Sequence, residues 1–394
     1  MIPAVIVFLV CLAMALPLAR ALGRRGMHRW FAPYLRQTSR RQSPRADEPV
    51  HLLLCIADHF EPGYANADPA TALSRVRRWV EEYPRRFAAF RDSDGRSPQH
   101  TFFYPLEMYD AAHVDLLAEL TRAGHGEVEV HLHHDHDNPE HLRRRLLEYK
   151  QLLVSRHGLL SRRRDDGEIV YGFVHGDWAL DNSRPDGRCC GVNNELDVLR
   201  ETGCYADFTF PSVPSPTQPR KINSIYYACD DPVRPRSHDR GQDVGAGLRP
   251  DRSFMLIQGP LLLDWSRRKY VIAPRIENAC IQAGQLPDQR RVDLWLQARV
   301  QVPTRPDWFF VKLHTHGTAE ANLPALLGEP MSRFHASLAQ RASRDRNFHY
   351  HYVTARQMYN LVRAAEAGWT GTVEEARDFE LELITRPDLT QRAS

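Results

Sequence analysis

The sequence predicts a mostly parallel α/β fold, closed into a barrel, behind an N-terminal membrane segment. From residue 50 onward, short β-rich runs alternate with amphipathic helical stretches, and this alternation is typical of parallel α/β architectures. Several of the 19 histidines stand at the downstream ends of predicted strands, where parallel α/β barrels collect their active-site groups. The first 19 residues are apolar and carry no charge.

The apolar run at residues 1–19 is about as long as a helix that spans a bilayer, and Arg20 is its first charge. A cleaved signal peptide would fit the small residues Ala19 and Ala21 around a cleavage site. Such peptides begin with a charged segment, however, and no lysine or arginine precedes this run, so an uncleaved anchor is favoured. We therefore predict an anchor or signal segment at 1–22 and a basic linker at 23–49.

Charge is distributed unevenly along the chain. Residues 1–46 contain eight arginines and no acidic residue, whereas the chain as a whole has a formal charge of only +3. The body after residue 46 is therefore slightly acidic, which argues against nucleic-acid binding. The arginine flank would contact anionic lipid headgroups and favours a body on the cytoplasmic side of the cell membrane. If the first segment is a signal peptide, the body would be periplasmic or extracellular.

Composition and cysteine content restrict the class of protein to which this chain can belong. With 394 residues, 42% hydrophobic and 26% charged, the chain is neither disordered nor a multi-span membrane protein. Its seven cysteines form no CxxC pair and no regular framework. This pattern indicates buried thiols in a reducing compartment.

The secondary structure follows from the periodicity of apolar residues. Runs rich in β-branched and aromatic residues predict strands at 51–57, 101–104, 127–133, 169–175, 208–210, 254–258, 308–314 and 348–353. Amphipathic stretches predict helices at 69–91, 111–123, 139–156, 193–202, 330–344 and 355–367. Residues 230–253 lack periodicity and are rich in Pro, Gly, Arg and Asp, which predicts a long loop: either a lid or a surface insertion.

Three predicted strands end in polar clusters. In the first, an apolar run is followed directly by Asp58, His59 and Glu61. In the second and third, side chains alternate between two faces, which fits strands with a polar lumen on one side and apolar helices on the other. The polar faces carry Glu129, His131 and His133 in the second strand and Lys312, His314 and His316 in the third.

The segment at 131–137 contains four imidazoles and two carboxylates. Such a mixed set at the mouth of a barrel suits Zn²⁺ or another divalent first-row ion, with one position left open for water. The alternative is a polar cluster without an ion.

These strand ends, in this order, resemble the polysaccharide deacetylase family, also called NodB-homology or carbohydrate esterase family 4. The family's first strand ends in Asp-Asp, where this chain has Asp58-His59. Its second motif is a strand ending in His with a second metal-binding His four residues on; this chain has His133 at the strand end and Asp137 in place of the second His. Its late Leu-His motif is matched at His314. The family's Arg-x-Pro-Tyr motif is absent, and residues 172–183 stand in its place.

The resemblance implies an irregular parallel (β/α)7-type barrel at 50–365, followed by a C-terminal tail at 366–394. It implies a metal-dependent hydrolase that removes N- or O-acetyl groups from a polysaccharide or glycan, with Asp58 as base and His314 as acid. It further implies a divalent metal, with zinc preferred, held by His59, His133 and Asp137. The competitors for the third ligand position are His131, His134 and His136. The expected substrate-binding residues are His175, Asp177, Trp178, Asn182 and His316.

Two other functions remain open on the residues. A glycoside hydrolase of the same superfamily would use paired carboxylates, such as Asp58 with Glu61 or Asp177, and would need no metal. A catalytically inactive scaffold of polysaccharide assembly, tethered to the membrane, would retain the fold without the chemistry.

Overall fold

The structure, a computed structural model, describes residues 20, 23, 26–39, 41–245, 249–269 and 273–384. The predicted membrane segment at 1–22 lies outside these ranges, apart from Arg20. Among the described residues, no helix is long and apolar enough to cross a membrane. The six cysteines within the described ranges are all free thiols.

The strands are β1 Val50–His59, β2 His100–Pro105, β3 Gly126–Leu132, β4 Ser161–Arg163, β5 Ile169–His175, β6 Cys204–Asp207, β7 Ile225–Cys229, β8 Gln242–Asp243, β9 Ser253–Ile257, β10 Leu262–Lys269, β11 Ala273–Glu277, β12 Trp308–Thr315, β13 Phe348–Tyr352 and β14 Leu381–Leu383. The helices are α1 Met27–Arg36, α2 Pro69–Phe87, α3 Ala111–Arg122, α4 Pro139–Leu152, α5 Glu195–Glu201, α6 Gln289–Ala298, α7 Leu323–Leu326, α8 Glu329–Arg344, α9 Ala355–Glu366 and α10 Val373–Ala376.

A mostly parallel sheet forms the centre of the fold, with strand order β12-β1-β2-β3-β5-β6-β9-β7-β8. On one side β1 pairs in parallel with β12 along almost its whole length. On the other side its first half pairs with β13 and its end with β2, both in parallel. The carboxyl ends of β1, β3, β5 and β12 therefore meet at one edge of the sheet.

The expected closed barrel is not found among the described residues. After β6 and β9 the sheet changes direction, because β7 pairs antiparallel with β9 and β8 antiparallel with β7. The space beside β12 is occupied by an irregular segment: Ile281 N donates to His314 O at 2.8 Å, and His314 N donates to Ala279 O at 2.9 Å. The fold is thus an open α/β sheet with a mostly parallel centre, and an antiparallel hairpin interrupts the barrel repeat.

The two faces of the sheet have separate cores. On the helix-covered face, Leu52, Leu54 and Ile56 of β1 pack with Val128, Val130 and Leu132 of β3. The opposite face buries Leu53, Cys55 and Ala57 with residues of β9 and α9. The alternation read from the sequence of β3 therefore places Glu129 and His131 on the face opposite α2, α3 and α4, as expected.

Capping side chains define where the main helices begin. Asp68 accepts from Ala70 N and Thr71 N at 3.0 Å, and Pro69 occupies the first position of α2. Thr354 and Gln357 form a capping box at α9. Ala355 N of α9 also donates to Thr101 Oγ1 at 2.9 Å, so this helix lies at the amino-terminal end of β2.

Both ends of the described chain pack onto the central unit. Within the segment predicted as a linker, α1 buries Trp30 completely and Tyr34 almost completely. Within the segment predicted as a tail, β14 pairs antiparallel with β4. In the long loop at 230–253, Arg236 donates to the backbone carbonyls of Thr217 and Gln218 at 3.1 and 3.0 Å, which anchors the loop to the body.

Candidate active site

A cavity of about 330 Å³ opens at the carboxyl ends of β1, β5 and β12. Its wall includes the histidine and carboxylate residues His59, Glu61, His133, Asp177 and His316, together with Trp178. Polar groups at this edge are expected, because the residues that follow parallel strands converge there.

Three buried side chains form the floor of this site. His59, Glu61 and His131 each offer one ligand atom, and these atoms lie within 4.8 Å of one another. His131 Nε2 lies 3.2 Å from Glu61 Oε1. Its other ring nitrogen, Nδ1, donates to Val174 O at 2.7 Å, which leaves a lone pair on Nε2 when the ring is neutral. A backbone bond of this kind fixes the orientation of metal-binding histidines.

Two further histidines flank this triad and are partly exposed. The Nε2 atoms of His133 and His316 lie 3.8 and 4.0 Å from Glu61 Oε1. His133 Nδ1 is paired with the Glu107 carboxylate. The ring of His316 stacks on that of His59, with centroids 4.8 Å apart.

Burial and neighbouring charges determine the ionisation of the site. Burial lowers the pKa of His59 well below its ordinary value, and the adjacent imidazoles lower it further. Burial also lowers the pKa of His316. For Glu61, burial opposes ionisation, but contact with His131 and the other nearby imidazoles holds its pKa below the ordinary value. At neutral pH Glu61 is therefore ionised and the His59 imidazole is neutral. A carboxylate and imidazole nitrogens are the donor set of a divalent metal site.

Asp58, the predicted base, lies on the opposite face of β1 from His59. Its carboxylate accepts from Gly317 N at 2.6 Å and pairs with His100 Nε2 at 2.9 Å. Consecutive residues of a strand point to opposite faces, so Asp58 and His59 cannot both reach the cavity from β1. A Cβ at position 317 would lie 2.0 Å from Asp58 Oδ2, so this contact requires glycine.

His314, the predicted acid, is buried below His316 on the same face of β12. Burial lowers its pKa far below the ordinary value, and the neighbouring Lys312 charge acts in the same direction. Its Nδ1 has no hydrogen-bond partner among the residues that the structure describes.

The other predicted ligands do not join the cavity triad. Asp137 pairs with His134 and with His141, at 3.1 and 2.6 Å. His136 is exposed. The imidazoles of the 131–137 segment are therefore divided: His131 and His133 face the cavity, whereas His134 points away from it.

Among the predicted substrate-binding residues, Asp177, Trp178 and His316 line the cavity. His175 instead lies beside His134, with their Nε2 atoms 2.9 Å apart. Asn182 donates to Asn193 Oδ1 at 2.9 Å.

Two site residues were not assigned these roles from the sequence. The sequence presents Glu61 only as one of a carboxylate pair, although its position two residues after His59 is a usable signal for a shared site. The sequence motifs give Glu107 no role, although this residue comes just after the carboxyl end of β2, and His59 is the last residue of the neighbouring strand β1.

No protein-family model matches the chain. A search of curated proteins also found no match. The support for a function is therefore the geometry of the site together with the order of the motifs.

Another group of possible ligands, Asp92, Asp94 and His351, lies against the guanidinium of Arg377. Arg377 Nη2 lies 3.4 Å from Asp92 and 2.8 Å from Asp94. An arginine here neutralises the carboxylates, so this group is an ion-pair network.

Lys312 lies below the site, fully buried, and its Nζ has no hydrogen-bond partner within the described part of the chain. Burial lowers its pKa to about 8, although the nearby Asp207 charge acts in the opposite direction. In the unfolded chain the pKa of this lysine is higher, at its ordinary value. The free-energy cost of burying the ammonium group is therefore complete below pH 8, and it disappears as the pH rises to the ordinary lysine pKa.

We therefore expect Lys312→Met to raise the free energy of unfolding most at pH 7, by about 3 kcal/mol, and progressively less toward pH 10. Urea unfolding at several pH values measures this difference. Arg77→Met, at an exposed cation of α2, is the control and should show no such trend, because an exposed arginine stays charged throughout this pH range. A Lys312→Met effect that does not vary with pH would contradict the assignment.

Proposed function

We propose that this protein is a metal-dependent hydrolase that removes an N- or O-acetyl group from a glycan. The observation that carries the proposal is the buried triad of His59, Glu61 and His131 at the floor of an open cavity. Three protein ligands with a free side toward solvent are the pattern of hydrolytic zinc sites, whereas structural sites are closed by a fourth. Two imidazoles and a carboxylate suit Zn²⁺.

A divalent metal bound there would supply Lewis acidity toward the acyl oxygen and lower the pKa of a bound water. The protein's own contribution is proton transfer. His133 is exposed to the cavity, and its Nδ1 is paired with Glu107, an arrangement that orients an imidazole and stabilises its protonated form. Its Nε2 faces the Glu61 carboxylate and the cavity.

The proposed reaction balances with water alone. The water oxygen bonds to the acyl carbon, and His133 Nε2 accepts a water proton. The carbon–nitrogen or carbon–oxygen bond then breaks, and His133 returns the proton to the leaving amine or alkoxide. The products are a free amine or hydroxyl on the glycan and acetic acid, which ionises to acetate by releasing the second water proton to solvent. In this scheme Asp58 is a positioning residue, because its bond to Gly317 N holds the loop that follows His316.

The cavity wall also suits a sugar. Trp178 is half-buried, and its ring lies 5.7 Å from those of His59 and His316. An aromatic face beside polar groups can stack on a sugar ring while Asp177 bonds its hydroxyls. A paired-carboxylate glycosidase receives less support, because imidazoles surround Glu61 and Asp58 is turned away.

Acetate release from acetylated amino-sugar oligomers tests the proposal. We expect acetate to be released by the zinc-loaded protein, to cease with a chelator, and to return when zinc is restored. A chelator presaturated with zinc is the control. New reducing ends would instead identify a glycosidase. The absence of both acetate and new reducing ends would favour a scaffold. Attachment to the membrane through residues 1–22 and the arginine flank stays a prediction.

A further inference from the structure

A second group of metal-ligating side chains lies behind the cavity. We call His134, His175, Cys190 and Glu195 the buried cluster, since all four are buried. They come from four places in the chain: the loop after β3, the end of β5, the loop at 176–194, and the start of α5. None of them belongs to the cavity triad.

The ligand atoms of this cluster converge tightly. His134 Nε2 lies 2.9 Å from His175 Nε2 and 3.0 Å from Glu195 Oε1. His175 Nε2 lies 3.3 Å from the same carboxylate oxygen. With Cys190 Sγ included, all four ligand atoms lie within 4.8 Å of one another. In a tetrahedral zinc site the ligand atoms are about 3.3 to 3.8 Å apart, so little movement would be needed.

Hydrogen bonds behind the ligands determine which ring nitrogens are available. His175 Nδ1 lies 2.5 Å from Gly176 O, which can only accept, so Nδ1 carries the proton. His134 Nδ1 likewise donates to Asp137 Oδ2 at 3.1 Å. Two neutral imidazoles would then direct their Nε2 lone pairs at each other and at Glu195. Such a contact between Nε2 atoms requires a cation, either a shared proton or a metal ion, and the convergence of four ligand atoms on one point provides a place for a metal ion.

The Cys190 sulfur both accepts and donates hydrogen bonds, and its Sγ donates to Val192 O at 3.6 Å. Its Sγ receives the backbone N–H groups of Asn182 and Val192, at 3.3 and 3.4 Å. The second oxygen of Glu195 accepts from Asp181 N at 2.5 Å and lies 3.5 Å from the sulfur. Metal binding would displace the thiol proton, because the thiolate is the form that binds metal.

We propose that the buried cluster is a structural zinc site with two imidazole ligands, one thiolate and one carboxylate. Four protein ligands and complete burial distinguish it from the cavity triad, which has three ligands and an open side. The thiolate and imidazole donors favour Zn²⁺ over hard cations such as Mg²⁺ or Ca²⁺.

The site would tie the loop at 176–194 to the end of the sheet. This loop carries Asp177 and Trp178 of the cavity wall, both with φ above +50°, a conformation that non-glycine residues adopt only under constraint. A closed metal site contributes folding energy and would hold these residues in place. The inference does not depend on the reaction proposed for the cavity.

The site is tested by zinc K-edge X-ray absorption and by metal analysis. Both use the full chain after it has been loaded with zinc and desalted. We expect Zn–S scattering at about 2.3 Å, which the cavity triad cannot supply because it contains no cysteine. We also expect Cys190→Ser to lose the sulfur contribution and one equivalent of zinc. Cys204→Ser, at another buried thiol, is the matched control and should retain both.

If Cys190→Ser does not fold, the absorption spectrum of the unaltered protein still decides the matter. Zinc without a sulfur ligand, or no zinc beyond the cavity equivalent, overturns the proposal and leaves a protonated His–Glu network in its place. Cobalt substitution gives an independent check, because a thiolate-to-cobalt charge-transfer band is expected in the unaltered protein and in Cys204→Ser.

Discussion

Glu61→Gln is expected to lower acetate release at least about a hundredfold and to remove the cavity metal. Losing a residue that only hydrogen-bonds to a metal ligand typically lowers activity or metal affinity about 10- to 100-fold, so losing a ligand itself should lower them more. The change preserves the shape of the side chain but removes its negative charge. His131 Nε2, 3.2 Å away, would then face an amide in place of a carboxylate.

Two companion variants separate the loss of metal from general damage. Glu107→Gln should retain the metal but lower the rate, because Glu107 contacts His133 and none of the triad. Glu320→Gln is the control at an exposed carboxylate that pairs with Arg75, and it should change neither quantity. Metal content and acetate release are measured on the same samples. Full metal content in Glu61→Gln would contradict the ligand assignment.

Arg356→Met is expected to lower the free energy of unfolding by about 3–5 kcal/mol, the usual cost of leaving one partner of a buried ion pair without the other. The Arg356 guanidinium donates to Glu127 Oε1 at 2.7 Å and to Leu381 O at 2.9 Å. It is also paired with Asp378. This one side chain therefore joins α9 to β3 and to β14.

Urea unfolding measures this loss. The double variant Arg356→Met with Glu127→Met should recover part of it, because it removes the stranded carboxylate as well. Arg333→Met is the control at a surface pair with Glu329, whose atoms lie 3.9 Å apart, and should cost less than about 1 kcal/mol. A loss in Arg356→Met no larger than in this control would show that the buried pair does not stabilise the fold.

Much of the secondary structure could be predicted because it depends on local periodicity. The predicted strand at 169–175 and the start of the helix at 69 coincide with β5 and α2. The strand predicted at 208–210 lies instead at Cys204–Asp207, and the β10–β11 hairpin and α6 were not predicted. Short strands such as β6 offer too few residues for a period to be recognised.

The candidate site could be predicted only in part. The strand ends that the sequence singled out lie at one edge of the sheet, and the alternation in β3 correctly placed Glu129 and His131 on one face. It did not reveal that Asp58 would turn away from His59, although the same two-residue period, applied to β1, implies it. It could not divide the imidazoles at 131–137 between two clusters, since beyond the strand the chain turns and the period no longer applies.

The sequence by itself determined the alternation of strands and helices, the polar ends of the strands, and the concentration of imidazoles there, because these depend on neighbours in the chain. Only the tertiary structure decided that the sheet stays open, that Glu61 joins His59 and His131, and that His134 meets His175, Cys190 and Glu195. Those contacts join residues up to about seventy positions apart, and they depend on how the sheet twists and where each loop returns. No local pattern encodes such a distance.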